Sequence, residues 1–134
     1  MAKFPSQEWL TALNEKLNTD EHYAQVARNW EGDMVVLIET GGNLQQEVCY
    51  YLDLWHGKCR QAYTIDSSEA KKAVLNLRLP YENAIRLLGG ELDVIQALLT
   101  RKISVQGNMA ILMRNVPTVL DFVRCCRDVT ETFV

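Results

Sequence analysis

Residues 81–116, YENAIRLLGGELDVIQALLTRKISVQGNMAILMRNV, decide how the chain reads. Tyr81 to Leu88 is a short apolar helix that runs into Gly89-Gly90, a helix stop. Glu91 to Leu99 forms a second apolar helix, and Ile103-Ser104-Val105 a clipped strand. Gln106-Gly107-Asn108 then turns directly into a third apolar helix, Met109 to Val116. So much Leu, Ile and Met, with so few catalytic residue types between, describes a container for an apolar guest better than a reaction site.

Working upstream, Ala73 to Leu79 alternates. Ala73, Leu75, Leu77 and Leu79 fall on one face and Val74, Asn76 and Arg78 on the other. Gln46 to Trp55 and Lys58 to Ile65 are two further strands, joined at His56-Gly57. That dipeptide suits a two-residue hairpin turn, because Gly takes positive φ freely and His more readily than most residues. The turn predicts a register of Val48/Ile65, Cys49/Thr64, Tyr50/Tyr63, Leu52/Gln61 and Leu54/Cys59, with Tyr51/Ala62, Asp53/Arg60 and Trp55/Lys58 between them. One face is then almost wholly apolar, and the other pairs a carboxylate with a guanidinium and an aromatic ring with a cation. Met34 to Ile38 is apolar throughout and β-branched in part, as expected of a central strand covered on both faces.

The N-terminal part is helical. Ser6 can cap a helix whose apolar side is Trp9, Leu10, Leu13 and Leu17. Thr19-Asp20 starts a second, with Tyr23, Val26, Ala27 and Trp30 at helical spacing. At the other end Pro117 suits the first turn of a last helix carrying Val116, Leu120 and Val123, with Asp121, Arg124 and Asp128 on a solvated, charge-paired face. The expected fold is α+β: a five-stranded, mainly antiparallel sheet with helices mostly on one face, forming a single domain over 1–134.

Composition narrows the function. Charged residues make up 23% of the chain and the net charge is −3, without the basic stripe that nucleic acid requires. The longest clean apolar run, Met34 to Ile38, falls far short of the roughly 20 residues of a membrane span. The first residues lack a secretory apolar core, and Thr130-Glu131-Thr132-Phe133-Val134 is neither a peroxisomal tripeptide nor a prenylation box. The expected location is the cytoplasm. Cys49, Cys59, Cys125 and Cys126 form no C-x-x-C pair, and with only two histidines no metal site is expected; the thiols read as reduced core residues.

No catalytic motif is present. There is no Gly-x-Ser-x-Gly elbow, and neither Gly41-Gly42 nor Gly89-Gly90 matches a nucleotide-phosphate fingerprint, so no cofactor is expected. His22 and His56 read as surface residues. Three polar side chains keep two readings. Gln61 either sits near solvent on an edge strand or meets the polar end of a ligand, and Tyr50 and Tyr63 either pack in the core or do the same. Met109 and Met113, one helical turn apart beside Leu112 and Val116, fit either a filled core or an adaptable wall.

Ile85-Arg86-Leu87-Leu88-Gly89-Gly90-Glu91-Leu92, Ile95 to Leu99, and Arg101-Lys102-Ile103-Ser104-Val105-Gln106-Gly107-Asn108-Met109 together resemble the sterol carrier protein 2 family. That family shows a Gly, a helix with a central Ala, a small basic link, a short strand and Gly-Asp before an apolar helix. Here Asn108 stands where the family usually has Asp, and Gly90-Glu91 follows the first Gly. The resemblance implies a lipid- or sterol-holding tunnel between the sheet and the later helices, with no shared catalytic residues. It also implies that ligand identity does not transfer between members, since some are accessory domains of enzymes.

On this reading the chain is a non-enzymatic binder or carrier of a fatty acyl chain, a sterol-like ring or an isoprenoid. The expected lining is Leu88, Ile95, Leu99, Ile103, Val105, Met109, Leu112, Met113, Val116 and Leu120, with Gln61, Tyr50 and Tyr63 as polar contacts. The alternative is an interaction module in which the same apolar helices meet a partner or a second copy as a homodimer.

Overall fold

The computed structural model describes residues 2–134. Ser6 caps α1 (Gln7–Thr19) by accepting from the Trp9 N–H at 3.0 Å, and the helix buries Trp9, Leu10, Leu13 and Leu17. Asp20 ends α1 and caps α2 (Glu21–Val26), its carboxylate accepting from the Tyr23 N–H at 2.9 Å. This second helix is shorter than its apolar spacing predicts, because the chain leaves helical geometry at Ala27. Trp30 is buried all the same, and its indole N–H donates to the Gly32 carbonyl at 2.8 Å.

Five strands form one sheet: β2 (Met34–Glu39), β3 (Val48–Trp55), β4 (Lys58–Ile65), β5 (Leu75–Pro80) and β6 (Ser104–Gly107), in the order β4-β3-β2-β5-β6. Apolar β2 is central, and its pairing with β5 is the one parallel ladder of that sheet. A separate two-stranded pair joins the ends of the described chain, β1 (Lys3–Phe4) running parallel to β7 (Thr132–Phe133). The remaining helices are α3 (Tyr81–Leu88), α4 (Val94–Leu99), α5 (Met109–Arg114) and α6 (Val116–Val129). They lie mostly on one face of the sheet, which gives the α+β architecture expected.

The β3–β4 turn forms at His56-Gly57, both with positive φ, 50° and 80°. A side chain at Gly57 would come within 2.8 Å of the Ala24 carbonyl, so glycine also lets the hairpin tip seat against α2. Trp55↔Lys58 and Leu54↔Cys59 pair as expected. The register then shifts, with Asp53↔Gln61, Leu52↔Ala62, Tyr51↔Tyr63, Tyr50↔Thr64 and Cys49↔Ile65. The unpaired residue is Arg60, at a β-bulge. Its guanidinium reaches the Asp53 carboxylate at 3.1 and 3.0 Å and lies 4.7 Å from the Trp55 ring centre, so Arg60, not Lys58, is the cation against the aromatic. The shift turns Ala62 inward and Tyr63 outward, where Tyr63 packs on Tyr51 at 5.1 Å.

The sheet therefore has two unlike faces. Met34, Val36, Ile38, Tyr50, Leu52, Leu54, Leu77 and Leu79 face the helices. Val35, Leu37, Cys49 and Tyr51 form a smaller cluster on the other side, with Tyr63, Ile65 and Ala73 packed against it and the Lys71 ammonium over the Tyr51 ring.

An apolar cavity as the candidate functional site

Between the inner sheet face and the helices lies a cavity of about 130 Å³. The floor is sheet: Met34, Ile38, Tyr50, Leu52, Leu54, Leu77 and Leu79. The roof is helix and N-terminal segment: Phe4, Trp9, Leu13, Tyr23, Leu88, Leu98, Leu112, Phe122 and Val123 among others. None of the lining residues carries a charge. An apolar space of this size stays dry, because water would find no partners in it.

Several polar groups at the wall are tied into the protein. The Tyr50 hydroxyl donates to the Ser6 carbonyl at 2.8 Å, the Trp9 indole N–H to the Thr130 hydroxyl at 2.8 Å, and the Thr118 hydroxyl to the Val26 carbonyl at 2.9 Å. Among the described residues, no sealed side-chain nitrogen or oxygen lacks a partner. Burial raises the Tyr23, Tyr50 and Cys126 pKa values well above their ordinary ranges, so all three present neutral groups. The wall offers hydrocarbon surface rather than an activated nucleophile or base.

A polar clamp holds the roof beside the cavity. Arg124 of α6 donates to Asp20 at 2.7 Å, to Asp121 at 2.7 Å and to Asp128 at 3.0 Å. His22 meets Asp121 at 2.8 Å, and Lys16 reaches Asp20 and Asp128, each at 3.2 Å. The Arg124 guanidinium leads in holding the Asp20 pKa well below the carboxylate range. At Asp121 burial pushes the pKa up, but Arg124 and His22 together outweigh it and the net shift is down. The expected solvated face is thus corrected: Asp121 is buried, because the helices at both ends of the clamp converge on it. The carboxylates of Asp20 and Asp121 and the Cys125 thiol lie within 4.8 Å of one another, with the Arg124 guanidinium bonded to both acids and 3.7 Å from the sulfur. The cation of this cluster is an arginine. All four cysteines are free and buried, and burial pushes Cys59 up to about 12 and Cys125 up to about 11.

Of the expected lining, Leu88, Ile103, Leu112 and the Tyr50 ring stand at the cavity wall. Leu99, Val105 and Met109 border a neighbouring groove with Leu98, Arg101, Ile103 and Ser104. Ile95, Met113 and Val116 are half-buried outside the wall, and Leu120 is 45% exposed. Gln61 and Tyr63 correct the expected register, since the Arg60 bulge places both on the outer face, opposite the cavity. The N-terminal half also contributes to the wall, through Trp9, Leu13, Tyr23, Met34 and Leu52, which lie outside the expected lining. Their apolar spacing is visible in the sequence, but spacing alone does not separate a filled core from a wall.

Solved structures share this architecture. A crystal structure of sterol carrier protein 2 is 26% identical, with a TM-score of 0.84 over 93% of this chain and 98% of that one. A conserved hypothetical protein of Thermus thermophilus is 25% identical, with a TM-score of 0.85 over 98% of this chain and 92% of that one. Sterol carrier protein 2 from Aedes aegypti, in complex with the C16 fatty acid palmitate, shares the fold at 17% identity, with a TM-score of 0.54 over 87% of this chain and 92% of that one. No curated protein matches the chain in sequence. The profile of the SCP-2 sterol transfer family matches residues 7–119, most of the chain, and this chain belongs to that family.

Proposed function

We propose that the chain binds and carries a hydrophobic small molecule, of the fatty acyl, sterol-like or isoprenoid class, in the apolar space between the sheet and the helices, and that it does so without catalysing a reaction. The uncharged cavity wall carries this reading. Membership of a sterol transfer family supports it, as does the palmitate held by the Aedes aegypti relative.

The energetics are sufficient. Burying about 300 Å² of a guest's apolar surface at ~25 cal/mol per Å² yields roughly 7 kcal/mol gross. Association and ordering costs then leave affinities in the micromolar range. A dry cavity of about 150 Å³ accepts a benzene-sized guest. The space here is comparable, about 130 Å³, so a long-chain or four-ring guest requires the wall to yield as it enters.

Native mass spectrometry of the chain purified from its own host, with solvent extraction of the sample, tests the proposal. The expected spectrum shows one chain with one lipid. A bare chain that also takes up neither hexadecanoate nor a sterol on titration would overturn it. The same spectrum distinguishes the alternative, for which the exposed Leu99 and Leu120 speak: a tight dimer without lipid.

A further inference from the structure

We infer that the groove between α4 and β6 is the entrance to the cavity and the seat of a guest's anionic end, with Arg101 pairing to a carboxylate while the chain passes between Leu98 and Ile103. The inference rests on the lipid-binding reading above.

Leu98 and Ile103 line both spaces, so the cavity and the groove share a wall. The cavity side of that wall has no charged residue, and Arg124, on the same helix as the wall residues Phe122, Val123 and Cys126, is already bonded to three aspartates. A carboxylate drawn fully inside would be desolvated with no partner, at a cost its tail could not recover. The groove side differs. Arg101 and Ser104 lie there beside Leu99, Val105 and Met109. Arg101 is exposed and makes no ion pair among the described residues. An amphiphile therefore meets a polar, cationic groove and an apolar chamber on opposite sides of two aliphatic side chains.

The backbone at Arg101 is a second observation. Its φ is 61°, a left-handed conformation that is costly for any residue with a Cβ and that glycine adopts freely. The loop is held there by the Arg101 N–H on the Leu98 carbonyl at 3.4 Å and the Ile103 N–H on the Ala97 carbonyl at 3.1 Å. Arginine thus occupies a position where glycine would fold more easily, which fits a side chain kept for its charge.

The test compares hexadecanoate with 1-hexadecanol as titrants of the full chain by calorimetry. Arg101→Glu is expected to weaken hexadecanoate about tenfold and to leave 1-hexadecanol within about twofold. Arg101→Gly is expected to weaken hexadecanoate about threefold to fivefold without lowering the thermal midpoint, since it relieves the left-handed backbone. The charge-dependent loss should shrink in high salt. Variants that bind hexadecanoate like the wild type, or that lose both titrants equally, would overturn the Arg101 assignment while leaving the lipid-binding reading standing. A wild-type chain that binds neither titrant would overturn that reading itself.

Discussion

The two ends of the cavity roof are built differently. At one end α1, α2 and α6 are stitched together by polar groups: Arg124 to Asp20 and Asp121, His22 to Asp121, Thr118 to the Val26 carbonyl, and Trp9 to Thr130. At the other end α4, β6 and α5 are short, and among the described residues the side-chain hydrogen bonds tying that segment to its neighbours are Asn83 to the Lys102 carbonyl at 3.1 Å and Asn115, at the start of α6, to the Ile111 carbonyl at 2.7 Å. The locked end pairs Asp20, Asp121 and Asp128 with Lys16, His22 and Arg124, whereas the loose end leaves Arg101 and a 60% exposed Leu99 facing solvent. A container that must admit a guest larger than its resting space needs one wall that stays and one that yields. Local opening follows the region with fewer buried contacts and fewer ties.

The largest expected effect is at the locked end. Arg124→Leu should cost about 2 kcal/mol in denaturant unfolding, toward the low side for a broken buried pair because the guanidinium is 38% exposed. The acid response should change with it. Asp20 and Asp121 have folded pKa values below their ordinary value of 3.8, so their pairing stabilises the fold above about that pH and is lost as pH falls through the lower folded values. Wild-type stability should therefore drop below about pH 4, and Arg124→Leu should flatten that drop. An unchanged acid profile would remove the clamp from the account.

Tyr50→Phe should cost about 1 kcal/mol by cutting the hydroxyl off from the Ser6 carbonyl, measured in the same denaturant series. The loose end should respond least, with Leu99→Ser staying within about 0.5 kcal/mol of wild type. Amide hydrogen exchange sharpens the contrast: α4 amides should exchange faster than those of α1, and added lipid should slow α4 more than α1. Equal protection of the two helices would erase the distinction.

Much of this was legible from local rules. The Ser6 and Asp20 caps, the His56-Gly57 turn, apolar β2 and the Gly89-Gly90 stop each follow from chemistry within a few residues. The Arg60 bulge did not, because the rule that fixes a hairpin from its turn carries no term for an arginine drawn at once to Asp53 and Trp55. That one residue moved Gln61 and Tyr63 to the sheet face opposite the cavity. Asp121 read as solvated because its partner His22, and Asp20, which shares the Arg124 guanidinium with it, are distant in sequence. The wall extends into the N-terminal half for a similar reason: Trp9, Tyr23 and Leu52 show the pattern of ordinary core, and only the shape of the packed chain decides that they front a space.

Leu112→Trp tests the central claim most directly. Leu112 is buried at the cavity wall, and the larger ring has vacant space to enter. The account predicts that the variant remains folded, within about 1 kcal/mol of wild type, less than the usual 1–3 kcal/mol of overpacking a filled core. It also predicts that binding of a fluorescent fatty acid falls at least about tenfold, a loss of ~1.4 kcal/mol. A folded variant that binds the probe as tightly as the wild type would contradict it.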